Sequence, residues 1–247
     1  MTVQIRNTGA LAETVGNTRT AISHPDGATG RRVAFRSTRI HEPATTIDPL
    51  PRWKRYMDVA GASLALAMAA PLMLGIGLAI KCTSRGPVIF RQTRAGVKGR
   101  PFTCLKFRTM IADAEAQKQY LLRYNERSGV AFKMSDDPRT TRVGRVLRKL
   151  SLDELPQLIN VLKGEMSLVG PRPLPVEEAI QQDEWQRARM DVAPGLTCLW
   201  QVYARHTNSF DTWARLDLEY VRRRSPMLDL KLLLLTIPAV ISTKGAY

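Results

Sequence analysis

The sequence predicts an α+β, helix-dominated protein: a re-entrant membrane helix over 52–82, then a compact membrane-associated domain over 83–247 with a small β element and interfacial amphipathic helices. Three observations carry this. Residues 59–80, VAGASLALAMAAPLMLGIGLAI, are an uncharged apolar run of 22 residues. Beyond it Gly and Pro punctuate short β-rich runs, after which helical periodicity dominates. Residues 51–150 hold 20 Lys/Arg against 6 Asp/Glu, a net of +14 in a chain whose total is +15. Charge concentrated around and just after an apolar run suits a segment facing anionic headgroups or phosphorylated ligands.

Residues 1–51 are rich in Thr, Arg, Ala and Gly, show no sustained period and read as a disordered cytoplasmic tail. They contain no apolar stretch of the kind a secretory signal needs. The 22-residue run that follows, at ~1.5 Å per residue, is long enough to cross a ~30 Å hydrocarbon core. Pro71, near its middle, removes a helical hydrogen bond and forces a break or kink. Arg52, Lys54 and Arg55 precede the run, and Lys81, Arg85, Arg91 and Arg94 follow it. The positive-inside tendency draws both ends to the cytoplasmic side. A helix kinked at Pro71 that enters and leaves by one leaflet satisfies that; a straight span and a buried core helix are the alternatives.

Residues 84–110 predict a small hairpin or two, and strand alternation in FTCLKFRTM puts Phe102, Cys104, Lys106 and Arg108 on one face. Helices are expected over 111–127, 142–150, 152–162, 176–190 and 210–224, with a turn at Pro194–Gly195. The closing run PMLDLKLLLLTIPAVI reads as an interfacial helix, since Pro238 and the charges Asp229 and Lys231 disfavour a second full span.

Three cysteines (Cys82, Cys104, Cys198), none in a C-x-x-C pair, exclude a disulfide framework and fit a reducing compartment. Three histidines without metal-site spacing argue against zinc, so any metal is a hard cation held by carboxylates and phosphates. The chain lacks a Walker-type loop, a G-x-G-x-x-G after a strand and a G-x-S-x-G elbow, which removes the main support for kinase, dinucleotide-binding and serine-hydrolase readings.

Asp153 and Glu154 are the first candidates. Ser151-x-x-Glu154 has the spacing of a capping box, so a purely structural role is a full alternative. Their surroundings point further: Arg142, Arg145, Arg148 and Lys149 precede them and Arg172 follows. A carboxylate among cations stays ionised and can serve as nucleophile or Mg²⁺ ligand. In Gly170-Pro171-Arg172-Pro173 the prolines restrict the backbone, and a preset guanidinium suits bidentate contact with phosphate. A solvated surface loop is the alternative there. Lys106 and Arg108 add phosphate-directed charge if they share a strand face, or else lie on an exposed edge. Arg205 closes the segment from Pro194 to Val202, which also reads as plain architecture around a buried Trp200.

Together these segments resemble the bacterial sugar transferase family, the monotopic polyprenyl-phosphate hexose-1-phosphate transferases (phosphoglycosyl transferases). The similarity covers roughly 52–247. It rests on KRYMD (Lys54–Asp58), GPVIFRQTRAG (Gly86–Gly96), LKFRTM (Leu105–Met110), the continuous stretch Asp137–Pro173, PGLTCLWQV (Pro194–Val202) and LDLEYV (Leu216–Val221). The resemblance implies that 83–247 is a catalytic domain on the cytoplasmic face of the bacterial inner membrane. It implies that Asp153 attacks the sugar-linked phosphate of a UDP-sugar, glucose or galactose, and expels UMP. Undecaprenyl phosphate then takes the sugar phosphate, initiating exopolysaccharide, capsule or O-antigen-type synthesis. Glu154 would hold Mg²⁺, while Lys106 and Arg172 would neutralise phosphate; Arg108 and Arg205, from the reading of the residues above, are further candidates for phosphate binding. The implied partners are undecaprenyl phosphate, the UDP-sugar and membrane lipid, with a homo-oligomer left open.

The chain departs from the family pattern at Ala70, where Ser is common before the proline, at Cys198, where Gly is common, and at Tyr203-Ala204, where Ser-Gly is common. The multi-span amino-terminal region of some members has no counterpart in the sequence read here, so a compact form is expected. Within the enzyme class, direct transfer with Asp153 as a base is the alternative. A noncatalytic basic membrane anchor is the rival from another class. Nucleic-acid binding fails to explain the apolar run and lacks interleaved aromatics.

Overall fold

The computed structural model describes residues 51–126, 130–132, 134, 136–204, 207 and 209–241; the tail expected over 1–51 lies outside these but for Pro51. The apolar run becomes α1 (Arg52–Thr83), 32 residues without interruption through Pro71. The proline therefore removes one hydrogen bond without ending the helix. Among the described residues α1 is the one helix long and apolar enough to cross a membrane, by length and composition. Most of it is bare: Leu64, Met68, Leu74 and Leu78 are exposed.

Both ends of α1 are nonetheless fastened to the rest of the chain. Near its start, Ala62 joins the main core, and near its end Ile76 and Ile80 join a second cluster with Phe107 and Leu147. The first turns carry buried polar anchors. The Lys54 ammonium donates to the carbonyl of Val169 at 3.0 Å and pairs with Asp229, with Asp58 3.5 Å away. Asp58 accepts from the Ser167 hydroxyl (2.9 Å) and the Leu168 amide (3.0 Å). The Arg55 guanidinium donates to the carbonyls of Val161 (2.7 Å) and Leu162 (2.6 Å) at the end of α4 (Gln157–Lys163). Two residues read from sequence as a cytoplasmic basic flank are thus internal fasteners, because an unpaired lysine buried at this depth would carry a large desolvation cost. Arg52, Lys81, Arg85 and Arg91 remain exposed.

The expected hairpin forms from β1 (Ile89–Ala95) and β2 (Pro101–Phe107), antiparallel, with Ile89 opposite Phe107 and Ala95 opposite Pro101. Its outer edge does not stay open. Asn160 of α4, fully buried, accepts from the Leu105 amide at 3.0 Å and donates to the Thr103 carbonyl at 2.7 Å. One side chain thereby satisfies the β2 edge and fixes α4 beside it. A second sheet was not expected: β3 (Ser167–Val169) pairs in parallel with β4 (Gly195–Thr197).

The helices over 142–150 and 210–224 appear as α3 (Arg142–Lys149) and α8 (Phe210–Arg223). That over 111–127 is shorter, α2 (Ala114–Leu121) with a following 3₁₀ turn, Leu122–Tyr124. The single helix expected over 176–190 is instead α5 (Val176–Ala179), α6 (Glu184–Arg187) and a 3₁₀ turn, Ala188–Asp191. Asp183 restarts the chain there, its amide donating to the Gln186 side chain at 3.0 Å; a good cap residue inside a helical pattern marks a boundary. Trp200 of α7 (Leu199–Tyr203) stacks on Trp213 of α8 with centroids 3.7 Å apart, an architectural role for that tryptophan. α9 (Pro226–Ile241) buries Asp229 and Leu232 and turns Met227, Leu230, Leu234 and Ile237 outward. Asp229 pairs with Lys54 rather than with its sequence neighbour Lys231.

Truncating Lys54 leaves Asp58 and Asp229 buried without their cation. Lys54→Ala is expected to cost roughly 3–5 kcal/mol in denaturant unfolding of the detergent-solubilised protein, against about 0.5 kcal/mol or less for exposed Arg52→Ala.

Candidate active site

Four segments converge on the carboxylate pair. Asp153 and Glu154 lie on a 3₁₀ turn, Leu152–Glu154, between α3 and α4. The capping-box alternative does not hold: Ser151 adopts a left-handed conformation (φ 55°) and makes no capping bond with its side chain, while the Glu154 carboxylate turns to cations. The left-handed residue reverses the chain after α3 and swings both carboxylates inward. Leu155 and Pro156 then lead into α4, which Asn160 fixes to β2, so Lys106 on that strand faces the turn.

Lys106 Nζ donates to Glu154 Oε1 at 2.9 Å and lies 3.9 Å from Asp153 Oδ2. Arg172 holds both Glu154 oxygens, Nη2 on Oε1 and Nη1 on Oε2 at 3.3 Å. Glu154 is thus clamped between two cations, whereas Lys106 stands 3.9 Å from Asp153. Their acidities diverge accordingly. Burial alone would raise Glu154, but Arg172 and then Lys106 outweigh it and hold the carboxyl well below the usual carboxylate range. Asp153 goes the other way: burial pushes it up, Lys106 partly offsets that, and the Glu154 charge adds to the rise. Two adjacent carboxylates with opposed shifts have different tasks open to them. Glu154 is a fixed anion, and Asp153 is the less compensated carboxylate of the two.

The loop bearing Arg172 is held at every peptide. Four successive carbonyls are bound: Pro171 by the Gly195 amide (2.9 Å), Arg172 by Arg189 Nη2 (2.7 Å), Pro173 by Arg94 Nη1 (2.7 Å) and Leu174 by the Ala95 amide (2.9 Å). Behind it Gly170 and Gly195 meet backbone to backbone, and a Cβ on Gly195 would lie 2.0 Å from the Gly170 nitrogen. The parallel β3–β4 contact that permits this approach is what aims Arg172.

Two further cations act on the pair, neither marked as a site residue by its local sequence. The charge of Arg94 on β1 acts on Glu154, and that of Arg148 on α3 acts on Asp153. Burial lowers the pKa of both arginines. Arg148 is braced by Thr109 (3.0 Å) and Thr140 (3.2 Å). The signal for Arg148 was its spacing five residues before Asp153; Arg94 gave none without the hairpin register. Arg108 goes elsewhere. The strand ends at Phe107, and Arg108 Nη2 donates to the Ser84 carbonyl (2.9 Å) and hydroxyl (2.7 Å) at the end of α1. Its contacts are with the helix end, not with the carboxylates. Arg205 lies outside the described residues.

Among the described residues no group of three or more His, Cys, Asp or Glu could cage a metal ion. Both Glu154 oxygens already accept hydrogen bonds from cations. Mg²⁺ needs only one or two carboxylates when phosphates and water complete its shell. The pair fits such an ion together with a phosphorylated substrate, once Lys106 or Arg172 frees a Glu154 oxygen.

A buried carboxylate pair ringed by four cations is the kind of site that the chemistry of phosphoryl transfer calls for. Residues 50–243 match the model of the family described as bacterial sugar transferase. The exopolysaccharide production protein ExoY of Rhizobium meliloti is 42% identical over 198 residues, 78% of this chain and 88% of ExoY. The UDP-glucose:undecaprenyl-phosphate glucose-1-phosphate transferase of Caulobacter vibrioides is 42% identical over 216 residues, 81% of this chain and 75% of that protein. The galactosyl transferase CpsE of Streptococcus agalactiae is also 42% identical, over 78% of this chain, though the match spans only 43% of CpsE. The chain belongs to the bacterial sugar transferase family.

Adding a methyl at the glycine crossing tests how tightly the Arg172 loop is set. Gly195→Ala is expected to cost about 1–3 kcal/mol, read as a lowered Tm, because the clash is with backbone that has nowhere to go.

Proposed function

We propose that the protein transfers hexose 1-phosphate from a UDP-sugar to undecaprenyl phosphate at the cytoplasmic face of the bacterial inner membrane, giving undecaprenyl-diphosphate-sugar and UMP. The observation that carries this reading is the unequal pair: Glu154 locked between Lys106 and Arg172, Asp153 beside it without a close donor. In the first step an Asp153 oxygen forms a bond to the sugar-linked phosphorus, and the bond from that phosphorus to the UMP oxygen breaks. In the second, a phosphate oxygen of undecaprenyl phosphate attacks the same phosphorus and the aspartyl bond breaks, restoring the carboxylate. Neither step needs a net proton. Lys106 and Arg172 spread positive charge over the phosphoryl oxygens, where it counts most as negative charge develops. Glu154 with the substrate phosphates would hold Mg²⁺, which neutralises pyrophosphate charge when bound. UDP-glucose and UDP-galactose are the favoured donors, in keeping with the names that the relatives carry, and an exopolysaccharide-type glycan is the favoured product.

The membrane placement draws on α1 and α9. Both helices expose apolar side chains, Leu64, Met68, Leu74 and Leu78 on α1 and Met227, Leu230, Leu234 and Ile237 on α9, and contiguous apolar patches mark membrane or partner contact. A helix crossing a bilayer puts its ends ~30 Å apart on opposite sides. Here Ala62 and Ile80 both pack on the same domain, which favours a helix held at one face of the bilayer over one that crosses it.

The deciding experiment follows UMP release by detergent-extracted protein given Mg²⁺, undecaprenyl phosphate and a panel of UDP-sugars. Turnover with one sugar, lost in Asp153→Asn, is the expected result. A stoichiometric UMP burst and a phosphosugar adduct in the absence of lipid support the covalent step. Turnover without either would make Asp153 a base for direct transfer. Silence with every sugar from folded protein would sink the reading.

Topology has its own check. Cys82 is exposed just after the apolar run, while Cys104 and Cys198 are buried. In intact spheroplasts a membrane-impermeant maleimide should label neither Cys82 nor a cysteine placed at Tyr56, and should label both once the membrane is opened. Labelling of just one from outside indicates a span.

A further inference from the structure

Arg189 and Asp217 form a buried ion pair that the proposed chemistry does not use. Arg189 is 3% exposed and Asp217 fully buried. Asp217 Oδ2 accepts from Arg189 Nε at 2.8 Å and also from Nη2, while Oδ1 accepts from no neighbour among the described residues. The same Nη2 reaches the Arg172 carbonyl at 2.7 Å. The three residues come from separate parts of the chain: the 3₁₀ turn after α6, α8, and the loop after β3. Burying two charges to stabilise a fold is a poor exchange, since desolvation roughly cancels the attraction. A planar fork held on one side by a carboxylate does, however, place its remaining N–H with little freedom. Prolines on either side restrict the Arg172 backbone, and the motion left is a rocking of the peptide plane that carries its carbonyl.

We propose that Arg189, oriented by Asp217, is a positioning residue: by holding the Arg172 carbonyl it sets where the Arg172 guanidinium meets Glu154 and the phosphate to be transferred. The proposal rests on the transferase reading above for its catalytic consequence, and on geometry alone for the positioning. Arg189 touches neither carboxylate of the pair, so its influence on the reaction passes through Arg172. A displaced catalytic group costs turnover rather than ground-state binding, and a shift near 1 Å can cost ~100-fold.

The test is a double-mutant cycle on the full chain in detergent, with UMP release as readout and Tm measured for every variant. Arg189→Ala should lower kcat by roughly 10- to 100-fold with little change in KM. Arg189→Lys, which keeps the charge facing Asp217, should restore part of it. In an Arg172→Ala background, Arg189→Ala should cost nothing further. An equal loss in both backgrounds, or a loss matched by the fall in folded fraction, overturns the proposal. If Arg189→Ala does not fold, Asp217→Asn carries the same cycle with a smaller expected loss. A wild-type protein that turns over no sugar nucleotide would sink the transferase reading alone. The positioning claim would then be decided by the ¹⁵N resonance of the Arg172 side chain, which should move or broaden in Arg189→Lys; an unchanged resonance refutes it.

Discussion

The arrangement hangs on the carbonyl of Val169. Lys54 of α1 and the Tyr220 hydroxyl of α8 both donate to it, at 3.0 and 2.9 Å, and both also engage Asp229 of α9. A single acceptor at the end of β3 therefore gathers three helices from distant parts of the chain. Buried polar groups must all be satisfied, so the knot admits few geometries. The loop that carries Arg172 starts at the next residue, and the long apolar helix and the cation above Glu154 share this one reference point.

From there the site is an exercise in unequal compensation. Six charged groups approach one another: Lys106, Arg94, Arg148 and Arg172 around Asp153 and Glu154. Had the cations been shared evenly, both carboxylates would be inert anions. Burial is the largest influence on both, but Arg172 and Lys106 together outweigh it at Glu154, whereas at Asp153 it prevails. The asymmetry comes from the 3₁₀ turn, where successive side chains diverge by about 120°. An α-helical start capped by Ser151 would have turned Glu154 back onto its own backbone.

Much of this was legible in the sequence, and the failures have physical causes. Asp153, Glu154, Lys106 and Arg172 were readable because chemistry constrains residue type, and the structure brings these four together. The hairpin followed from Gly and Pro punctuation around β-rich runs, α3 and α8 from the helical pattern, and α9 from its apolar run. The β3–β4 pair did not, since three-residue strands are too short to show alternation. Ser151 misled because a capping pattern and a left-handed turn use the same small polar residue. Lys54 and Arg55 looked like surface charge because burial of a cation is set by partners more than a hundred residues away. Arg94 and Arg189 were invisible as neighbours of Arg172 for the same reason: nothing local marks an arginine whose acceptor is a remote carbonyl.

The loop Gly170-Pro171-Arg172-Pro173-Leu174-Pro175 has proline at every second position, so half of its residues lack an amide hydrogen, while the carbonyls of residues 171–174 are all bound inward. Phosphate loops built from backbone amides owe their recognition to main chain, which any residue supplies, and so tolerate exchange of most side chains. Here the main chain is used up in holding the loop still, and the loop's charge is left to one guanidinium. Such a design trades robustness for rigidity. A single base change in the Arg172 codon removes the loop's one charged side chain, with no neighbouring residue in the loop able to replace it.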